Sequence, residues 1–497
     1  MFSLILGLGE SGLAIARWLA RDGGTLRVAD TRAAPPMLEA LRASVPAAEF
    51  VGGAFTGALL DGVDCIAISP GLSPTTSPAA PLLKEAKARG IDVVGEIELF
   101  ARALARLRAE RGYRPQLVGV TGTNGKTTTT RLAGLLLERA GRRVAVAGNI
   151  SPTALDALRE RLDADDLPDV WVLELSSFQL ATTSSLACDA AAVLNLTQDH
   201  LDWHGTMDAY AKAKARIFAK DTVQVLNRDD PVVLAMARRN AHVCTFGAGA
   251  PVQADGYGLL RDGGLTWLGF AEETAGPRRR RSTTPAEAVP AESTVYVHRL
   301  MPTEALRLRG RHNALNALAA LALARAVGGA LAPMLHALRE YRGEPHRVEL
   351  IATVGGIEYY DDSKGTNVGA TVAAIEGLGA EGKRLAVILG GDGKGQDFAP
   401  LAAPLARHAR AVALIGRDAD RIAAALAGAG DLCPYPIERC ETLPDAVHAC
   451  VRRAQSGDAV LLSPACASLD MFRNYAHRSE VFADTVHESG LEAGQPC

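Results

Sequence analysis

The sequence predicts an α/β protein of three domains. These are a Rossmann-like N-terminal domain over residues 1–97, a central P-loop-type ATPase domain over 98–343 and a Rossmann-like C-terminal domain over 344–497. The chain has 497 residues, which is too long for a single hydrophobic core. Two glycine-rich turns each follow an apolar run and precede a helical pattern. Short apolar runs that end in polar or glycine-rich loops recur through the rest of the chain, as in parallel sheets.

Composition favours a soluble enzyme of a reducing compartment. The chain carries 53 basic and 56 acidic residues, so it has no global nucleic-acid or anionic-membrane footprint. Its apolar stretches fall short of a membrane span. The eight cysteines are scattered without zinc-binding spacing, and the chain begins with a strand-like segment rather than a cleavable leader. We expect a cytoplasmic monomer without nucleic-acid partners.

The first glycine-rich turn predicts a nucleotide-holding domain. The apolar segment Phe2–Leu6 leads into a G-x-G-x-x-G match at residues 7–12, and a second strand ends at Asp30. This pattern is typical of NAD dehydrogenases. However, Asp30 is followed by Thr31 and Arg32, which suit a phosphate or uracil as well as a ribose. We therefore favour a nucleotide-binding domain without redox chemistry over an NAD site.

The second glycine-rich turn predicts a nucleoside-triphosphate site. An apolar strand precedes Gly122, and a helical pattern opens at Thr127. Such a turn directs backbone N–H groups at one spot, on a helix terminus with partial positive charge. Lys126 adds a charge for the β- and γ-phosphates, and Thr127 offers a hydroxyl for Mg²⁺. Val120 stands where a strict P-loop has glycine, and the alternative is a loop whose glycines only serve a tight turn.

Three further apolar runs of the central region end in polar residues. Asn149, Glu174 and His200 follow these runs, and in a parallel sheet they collect at the edge that carries the P-loop. Glu174 is either a metal ligand, which we favour, or a capping acid. His200 and His204 have a spacing that suits zinc, but the sequence offers no third ligand or general base for a zincin.

A lysine on an otherwise apolar helical stripe is a further candidate. Lys214 shares a face with Tyr210, Ile217 and Phe218 in a predicted helix over residues 208–218. One interpretation is a snorkelling lysine. The other is a lysine in the site, with a modification that reverses its charge.

Two later segments of the central region have less definite roles. Residues 272–293 are low-complexity with four consecutive arginines, which favours a solvated loop over a nucleic-acid patch. Asn313 and Asn316 share a face of the next helix, as caps or as ligands of adenine or phosphate.

The C-terminal region predicts a third sheet with an anion site at its strand ends. Lys394 and Ser468 follow apolar strands in glycine-rich and polar loops, where an anionic ligand could bind. Cys466 lies in the second loop without a histidine partner in its motif, so small-residue packing is favoured over a nucleophile.

Taken in order, these motifs resemble those of the Mur ligase family. The resemblance covers nearly the whole chain, and it accounts for Val120, because the family's phosphate loop has the form T-G-T-N-G-K-[ST]. The motifs that carry it lie at residues 121–127, 174, 195–200, 312–316, 346–347 and 362–364. Residues 30–32, 390–394 and 463–470 resemble the members that add D-glutamate.

The resemblance implies an ATP-dependent ligase that joins D-glutamate to UDP-N-acetylmuramoyl-L-alanine in peptidoglycan precursor synthesis. Residues that would bind ATP are Gly122, Thr123, Asn124, Gly125, Lys126, Thr127, Thr128, Asn316, Arg347 and Asp362. Those that would bind the UDP substrate are Glu10, Ser11, Gly12, Asp30, Thr31, Arg32, Gly71 and Asn149. D-Glutamate would lie on Thr366, Lys394, Ser468, Leu469 and Tyr475, the last of which is often Phe in the family. Thr127, Glu174, His200 and Lys214 would bind Mg²⁺, and Lys126, Glu174, His200 and Lys214 would be catalytic.

The resemblance also implies that Lys214 is carbamylated by CO₂ and that an acyl phosphate forms on the substrate carboxylate. Closure of three domains would protect that intermediate from water. The main alternative is a sibling ligase for another amino acid, or folylpolyglutamate synthesis. An NAD-linked oxidoreductase and a P-loop motor or regulatory NTPase are less favoured.

Overall fold

The computed structural model of the protein describes residues 1–273, 295–308, 310–428, 430, 433–492 and 494. Almost all of the arginine-rich segment predicted at 272–293 lies outside these residues. Within them, the chain forms three mainly parallel sheets that bury apolar side chains on both faces. This confirms the α/β class and the three-domain architecture. The domain boundaries at 97/98 and 343/344 stay predictions.

The N-terminal residues build a five-stranded sheet. Its elements are β1 (Phe2–Leu6), α1 (Glu10–Arg21), β2 (Thr25–Asp30), α2 (Leu38–Ser44), β3 (Glu49–Gly52), β4 (Cys65–Ile68), α3 (Ala80–Ala88) and β5 (Asp92–Val94). The strands are parallel in the order β3-β2-β1-β4-β5. Along β1, Leu4 and Leu6 face one apolar cluster and Ile5 faces another, because successive strand side chains point to opposite faces. The helix α4 (Glu96–Arg111) then leads to the central sheet.

The central residues build a nine-stranded sheet. Its first elements are β6 (Gln116–Thr121), α5 (Lys126–Arg139), β7 (Val144–Gly148), α6 (Ala154–Asp163), β8 (Val170–Glu174), α7 (Ser177–Ala181), β9 (Ala190–Val193), α8 (Leu201–His204) and α9 (Met207–Ala215). The remainder are β10 (Val223–Asn227), α10 (Pro231–Leu234), β11 (Val243–Phe246), β12 (Gly256–Asp262), β13 (Leu265–Glu273), β14 (Val295–Pro302), α11 (Arg311–Ala326) and α12 (Leu331–Glu340). The strand order is β14-β13-β12-β11-β10-β9-β6-β8-β7, in which β6 lies between β9 and β8.

Two details of the central sheet differ from the sequence analysis. It did not predict the strands β12 to β14, which pair antiparallel at one edge. The turn after Asp262 uses Gly263 and Gly264 at φ values of 59° and 79°, a turn signal that is readable in the sequence. The helix α9 ends at Ala215, so Ile217 and Phe218 are buried beyond its end rather than on its stripe.

The C-terminal residues build a six-stranded sheet. Its elements are β15 (Glu349–Val354), β16 (Ile357–Asp361), α13 (Val368–Gly379), β17 (Leu385–Gly390), α14 (Ala402–His408), β18 (Ala409–Ile415), α15 (Ala419–Ala427), β19 (Ile437–Arg439), α16 (Leu443–Arg453), β20 (Ala459–Leu462) and α17 (Tyr475–Glu492). The order is β15-β16-β20-β17-β18-β19, with β15 antiparallel to its neighbour. Within the described parts of the chain, no helix combines the length and the apolar character needed to cross a bilayer.

The three sheets are joined in two different ways. One apolar cluster runs from Trp18 through Phe100 to Trp171, so the N-terminal and central sheets share a core. The rings of Phe100 and Trp171 meet edge to face at 5.2 Å. The two apolar clusters of the C-terminal sheet draw all of their members from residues 348–486. This sheet meets the P-loop through polar groups, as described below.

Candidate active site

The P-loop connects β6 to α5 and is fixed by its own glycines and by one asparagine. Gly122 and Gly125 have φ values of 154° and 81°, a region that L side chains rarely adopt. The Asn195 amide accepts a hydrogen bond from the backbone N–H of Asn124 at 2.8 Å and donates to its carbonyl at 3.1 Å. The loop is therefore held at the helix terminus where a phosphate would meet backbone N–H groups.

Two lysines converge on this loop. The Lys126 ammonium donates to the carbonyls of Gly122 and Thr123 at 3.0 and 2.8 Å, and Lys214 donates to the same Gly122 carbonyl at 2.7 Å. Lys214 is buried with only 1% of its surface exposed, and its ammonium lies 4.6 Å from the Tyr210 ring centroid. Desolvation lowers the pKa of Lys126 and lowers that of Lys214 well below its ordinary value. The structure thus brings Lys214 into the site and gives no support to the snorkelling interpretation.

A buried carboxylate with a spare oxygen lies beside the loop. Glu174 ends β8 and is buried, and its Oε1 accepts a hydrogen bond from Asn149 at 2.9 Å. Its Oε2 is buried without a hydrogen-bond partner among the described residues. Leaving a buried carboxylate oxygen unpaired is costly unless a cation or ligand satisfies it. The oxygen-rich set of Glu174 and the buried Thr127 hydroxyl therefore fits a divalent cation such as Mg²⁺.

His200 and His204 lie on one aromatic cluster with different partners. The His200 backbone is left-handed at a φ of 55°, and its ring packs against Phe178 at 4.7 Å. Burial, followed by the charges of Lys394, Lys126 and Lys214, lowers the pKa of His200 to about 3. A neutral imidazole at neutral pH can ligate a metal. The His204 Nε2 lies 2.9 Å from the Ser177 hydroxyl, which gives it a partner outside the predicted metal set.

A separate cavity of about 500 Å³ lies over the first glycine-rich turn. The predicted UDP-site residues that line it are Glu10, Ser11, Asp30, Thr31, Arg32 and Gly71. Asp30 is already engaged, because it accepts hydrogen bonds from the backbone N–H of Leu8 at 2.8 Å and from Nε and Nη2 of Arg32, each at 2.8 Å. The Arg32 hydrogen bond dominates the fall in the pKa of Asp30 to about 2. Asp30 is therefore placed to orient Arg32.

Two predicted UDP-site residues lie away from that cavity. Gly12 is packed behind the turn, where an added Cβ would come within 2.0 Å of the Gly7 carbonyl. Asn149 lies beside Glu174 in the central sheet, as its hydrogen bond shows. A bound molecule that reached both Arg32 and Asn149 would have to extend from the N-terminal sheet to the P-loop.

A cavity of about 240 Å³ lies between the P-loop and the C-terminal sheet. The predicted ATP-site residues that line it are Asn124, Gly125, Thr128, Asn316, Arg347 and Asp362. Burial raises the pKa of Asp362 to about 7, even though Ser463 donates to this carboxyl at 2.6 Å. The Arg347 Nε is buried without a hydrogen-bond partner among the described residues. Both groups are available to a ligand that fills the cavity.

The predicted D-glutamate residues lie on loops of the C-terminal domain, except Tyr475, which is the first residue of α17. The loop that carries Lys394 pairs with the loop that carries Ser468, through reciprocal backbone bonds of Asp392 and Ala467 at 3.0 and 2.8 Å. Lys394 is exposed with a left-handed φ of 48°, and Ser468 is buried. Leu469 and Tyr475 are exposed, whereas Thr366 is half-buried. The charge of Lys394 contributes to the lowered pKa of His200, which follows β9 of the central sheet.

Two residues that support this arrangement were not predicted. Arg478 of α17 is fully buried and donates to Ser363 and to the Cys466 carbonyl, and so joins the loop before α13 to the Ser468 loop. Asn367 bonds to the P-loop across the domain junction. Nothing in the sequence marks Arg478, because its neighbours read as an ordinary helix. Asn367 carries the signal of a helix N-cap, which does not reveal its second partner.

Three family models match consecutive parts of the chain. Residues 2–95 match a "Mur ligase MurD-like, N-terminal domain", residues 120–324 a "Mur ligase middle domain", and residues 346–466 a "Mur ligase, glutamate ligase domain".

Curated relatives match over almost the full length. A UDP-N-acetylmuramoylalanine–D-glutamate ligase of Ralstonia nicotianae is 60% identical over 99% of this chain and 98% of its own. The protein of the same name from Burkholderia pseudomallei is 59% identical over 99% and 97%.

Solved structures share the fold at low sequence identity. The MurF ligase of Thermotoga maritima in complex with ADP has a TM-score of 0.59 at 17% identity and covers 97% of this chain and 98% of its own. The UDP-N-acetylmuramate-alanine ligase MurC of the same organism has a TM-score of 0.56 at 20% identity and covers 98% and 100%.

Proposed function

The chain belongs to the Mur ligase family, and from this premise we propose that it adds D-glutamate to UDP-N-acetylmuramoyl-L-alanine and converts ATP to ADP and phosphate. The high identity to ligases named for this reaction supports the choice of amino acid over a sibling ligase or folylpolyglutamate synthesis. The reaction belongs to peptidoglycan precursor synthesis.

One structural observation carries the proposal. One cavity lies over the first glycine-rich turn and a second lies beside the P-loop, whose Gly122 carbonyl accepts hydrogen bonds from Lys126 and the buried Lys214. A ligase that activates one substrate with ATP needs a carboxylate and a triphosphate held at a common point. The UDP substrate would occupy the first cavity, with Arg32 at its nucleotide end and Asn149 and His200 near its reacting end. ATP would occupy the second, between Asn316 and Arg347.

The residues at the P-loop are suited to phosphoryl transfer. The substrate carboxylate attacks the γ-phosphorus, the bond to the bridging oxygen of ADP breaks, and an acyl phosphate forms. Lys126 would turn from the loop carbonyls to the phosphates, where its charge offsets the charge that develops on the oxygens. Arg347 would do so from the opposite side of the cavity. The D-glutamate amine then displaces phosphate to form the amide, held through its carboxylates by Lys394 and Ser468.

The magnesium ions would be held by Thr127, Glu174, His200 and a modified Lys214. Bound Mg²⁺ supplies charge neutralisation between phosphate oxygens. The buried, unpaired Glu174 oxygen supports this assignment, as does the neutral state of His200.

Lys214 would enter this set as a carbamate. Burial lowers its pKa, which raises the fraction of neutral amine, and the nitrogen lone pair of a neutral amine can attack the carbon of CO₂ with loss of one proton. The product carries an anionic oxygen in place of a cation. The exchange removes repulsion between two neighbouring positive charges, which are both close to the Gly122 carbonyl.

A phosphate-release assay with a panel of amino acids tests the proposed function. Purified protein is given ATP, Mg²⁺ and UDP-N-acetylmuramoyl-L-alanine, together with D-glutamate, L-glutamate, glycine, L-lysine or meso-diaminopimelate. Stoichiometric ADP and phosphate should appear with D-glutamate alone, and the product mass should rise by one glutamyl residue. Release that needs another amino acid, or none, would reject the assignment.

A further inference from the structure

We propose that Asn367 is a positioning residue that couples docking of the C-terminal domain to the shape of the P-loop, through a paired amide contact with Asn124. The inference rests on the proposed function, because it assigns a step of ligase closure to this contact. Among the residues that the structure describes, this contact provides the only hydrogen bonds between a P-loop side chain and the C-terminal domain.

The contact is reciprocal. The Asn124 Nδ2 donates to the Asn367 Oδ1 at 3.0 Å, and the Asn367 Nδ2 donates to the Asn124 Oδ1 at 2.9 Å. The orientation of the second amide follows from its other partner. The same Asn367 Oδ1 accepts the backbone N–H of Ala370 at 2.9 Å, and only an oxygen can accept there.

The Asn367 side chain makes two further contacts. It is the N-cap of α13, so its side chain is fixed to the C-terminal domain. Its Nδ2 also lies 3.3 Å from the Asp199 Oδ2, next to the proposed metal ligand His200. One buried amide therefore contacts the phosphate loop, the metal-ligand segment and the first turn of a C-terminal helix.

Asn124 is equally constrained on its own side. The Asn195 amide accepts from the backbone N–H of Asn124 and donates to its carbonyl. Asn195, Asn124 and Asn367 therefore form a hydrogen-bonded chain from the end of β9 to α13. Gly369 in the first turn of α13 allows this close approach, because a Cβ there would come within 2.8 Å of the Thr197 hydroxyl. Shape and hydrogen bonding thus select one docked position.

The junction between the C-terminal domain and the P-loop is polar, so a single hydrogen-bonded contact there can affect how the two parts dock. The N-terminal and central sheets share an apolar core, whereas the apolar clusters of the C-terminal sheet are its own. A junction held by polar groups beside a cavity can open without exposing a core. When it closes, the amide pair orders the P-loop, and an ordered P-loop in turn presents the partner that α13 docks on.

A double-mutant cycle in the full-length protein tests the coupling. Asn367→Ser keeps an oxygen that can cap α13 but cannot reach Asn124, and Asn124→Ala removes the other partner. Each single variant should lower kcat for D-glutamate-dependent phosphate release by about tenfold, and in Asn367→Ser the Kd for ATP alone should change less than about twofold. The double variant should be no slower than the slower single variant.

Thr442→Ala is the matched control. Thr442 caps α16 through a capping box at the other side of the same sheet, so its loss removes a helix cap without touching the P-loop. It should lower the melting temperature and leave kcat unchanged. An equal fall of kcat in Thr442→Ala would show that loss of any C-terminal cap suffices and would overturn the proposal.

Hydrogen exchange gives a readout that does not depend on the reaction. With a non-hydrolysable ATP analogue bound, Asn367→Ser should speed amide exchange at residues 122–126, and Asn124→Ala should speed it at 367–371. If the wild-type protein shows no ligase activity, the proposed function is wrong. The exchange rates at residues 122–126 and 367–371 would still show whether Asn367 and Asn124 couple the two segments. Unchanged exchange in both variants, or additive losses of kcat in the double variant, would overturn the coupling.

Discussion

Two glycine-rich turns of this protein share a backbone plan and differ in the charges around them. In both, a parallel strand ends in glycines and a helix begins, at residues 7–12 and 122–126. Around the first, Asp30 accepts hydrogen bonds from the Leu8 N–H and from Nε and Nη2 of Arg32, and a wide cavity remains. Around the second, Lys126 and Lys214 meet beside the unpaired Glu174 oxygen.

The difference shows that a glycine motif determines the shape of the backbone turn, whereas the side chains around it determine which ligand it binds. The first turn keeps its one strong charge pair at the rim, which suits recognition of a nucleotide that does not react. The second gathers lysine, carboxylate and imidazole within one buried site, where charge interactions are stronger than in water. Substitutions at the two turns should therefore have separable effects on the two substrates.

The largest effect is expected from Lys126→Ala. Loss of its charge should lower phosphate release roughly 1000-fold, since one preorganised charged contact to a transition state contributes about that much. Binding of the UDP substrate should not change, as measured by titration calorimetry. Arg139→Ala, at the exposed end of the same helix, is the control and should retain full activity. A near-normal rate in Lys126→Ala would contradict the P-loop assignment.

The second effect concerns the charge of Lys214. Lys214→Ala should lose activity roughly 100-fold, because the proposed carbamate would no longer supply an anionic ligand to the cation. Added acetate or propionate should restore part of the rate. Lys212→Ala, on the exposed face of the same helix and paired to Asp208, is the control. Full activity of Lys214→Ala, or of wild-type enzyme in buffer free of CO₂, would exclude the carbamate.

The third effect should appear at the first turn only. Arg32→Ala should raise the KM for UDP-N-acetylmuramoyl-L-alanine about tenfold, the loss of one charged hydrogen bond of about 1.5–3 kcal/mol. The KM for ATP should be unchanged. Arg42→Ala, in an exposed ion pair on α2, is the control. Equal increases in both KM values would mean that Arg32 acts on the fold rather than on the uridine nucleotide.

The smallest effect tests the backbone cradle itself. Gly9 has a φ of −99°, which alanine also adopts, and an added Cβ would meet no protein atom within 4 Å. Gly9 lines the first cavity, so this Cβ would occupy ligand space. Gly9→Ala should keep the melting temperature and weaken UDP-substrate binding several-fold, a modest change because only one methyl group is added. Unchanged binding in calorimetry would place the ligand away from the turn.

Much of the fold could be predicted from local patterns. The strands before both glycine turns and the polar residues at strand ends follow from apolar runs and the geometry of parallel sheets. The antiparallel edge from β12 to β14 was not predicted, although Gly263 and Gly264 after Asp262 mark the turn between β12 and β13. The buried position of Lys214 was suggested by its apolar stripe, although part of that stripe lies beyond the helix.

Contacts across domains could not be predicted in the same way. The pairing of Asn124 with Asn367 joins residues 243 positions apart, and each asparagine has an ordinary local explanation as a loop or cap residue. Arg478 reaches Ser363 over 115 positions from within a helix of unremarkable pattern. Such contacts depend on how whole sheets dock, which no local period encodes.

If ATP activates the substrate carboxylate as an acyl phosphate, one carboxylate oxygen is transferred to the released phosphate. UDP-N-acetylmuramoyl-L-alanine labelled with ¹⁸O in its alanine carboxylate is turned over with ATP, Mg²⁺ and D-glutamate, and the released phosphate is analysed by mass spectrometry. One carboxylate oxygen should appear in each phosphate, because the acyl carbon–oxygen bond breaks when the amine attacks. Phosphate without label would contradict an acyl-phosphate intermediate.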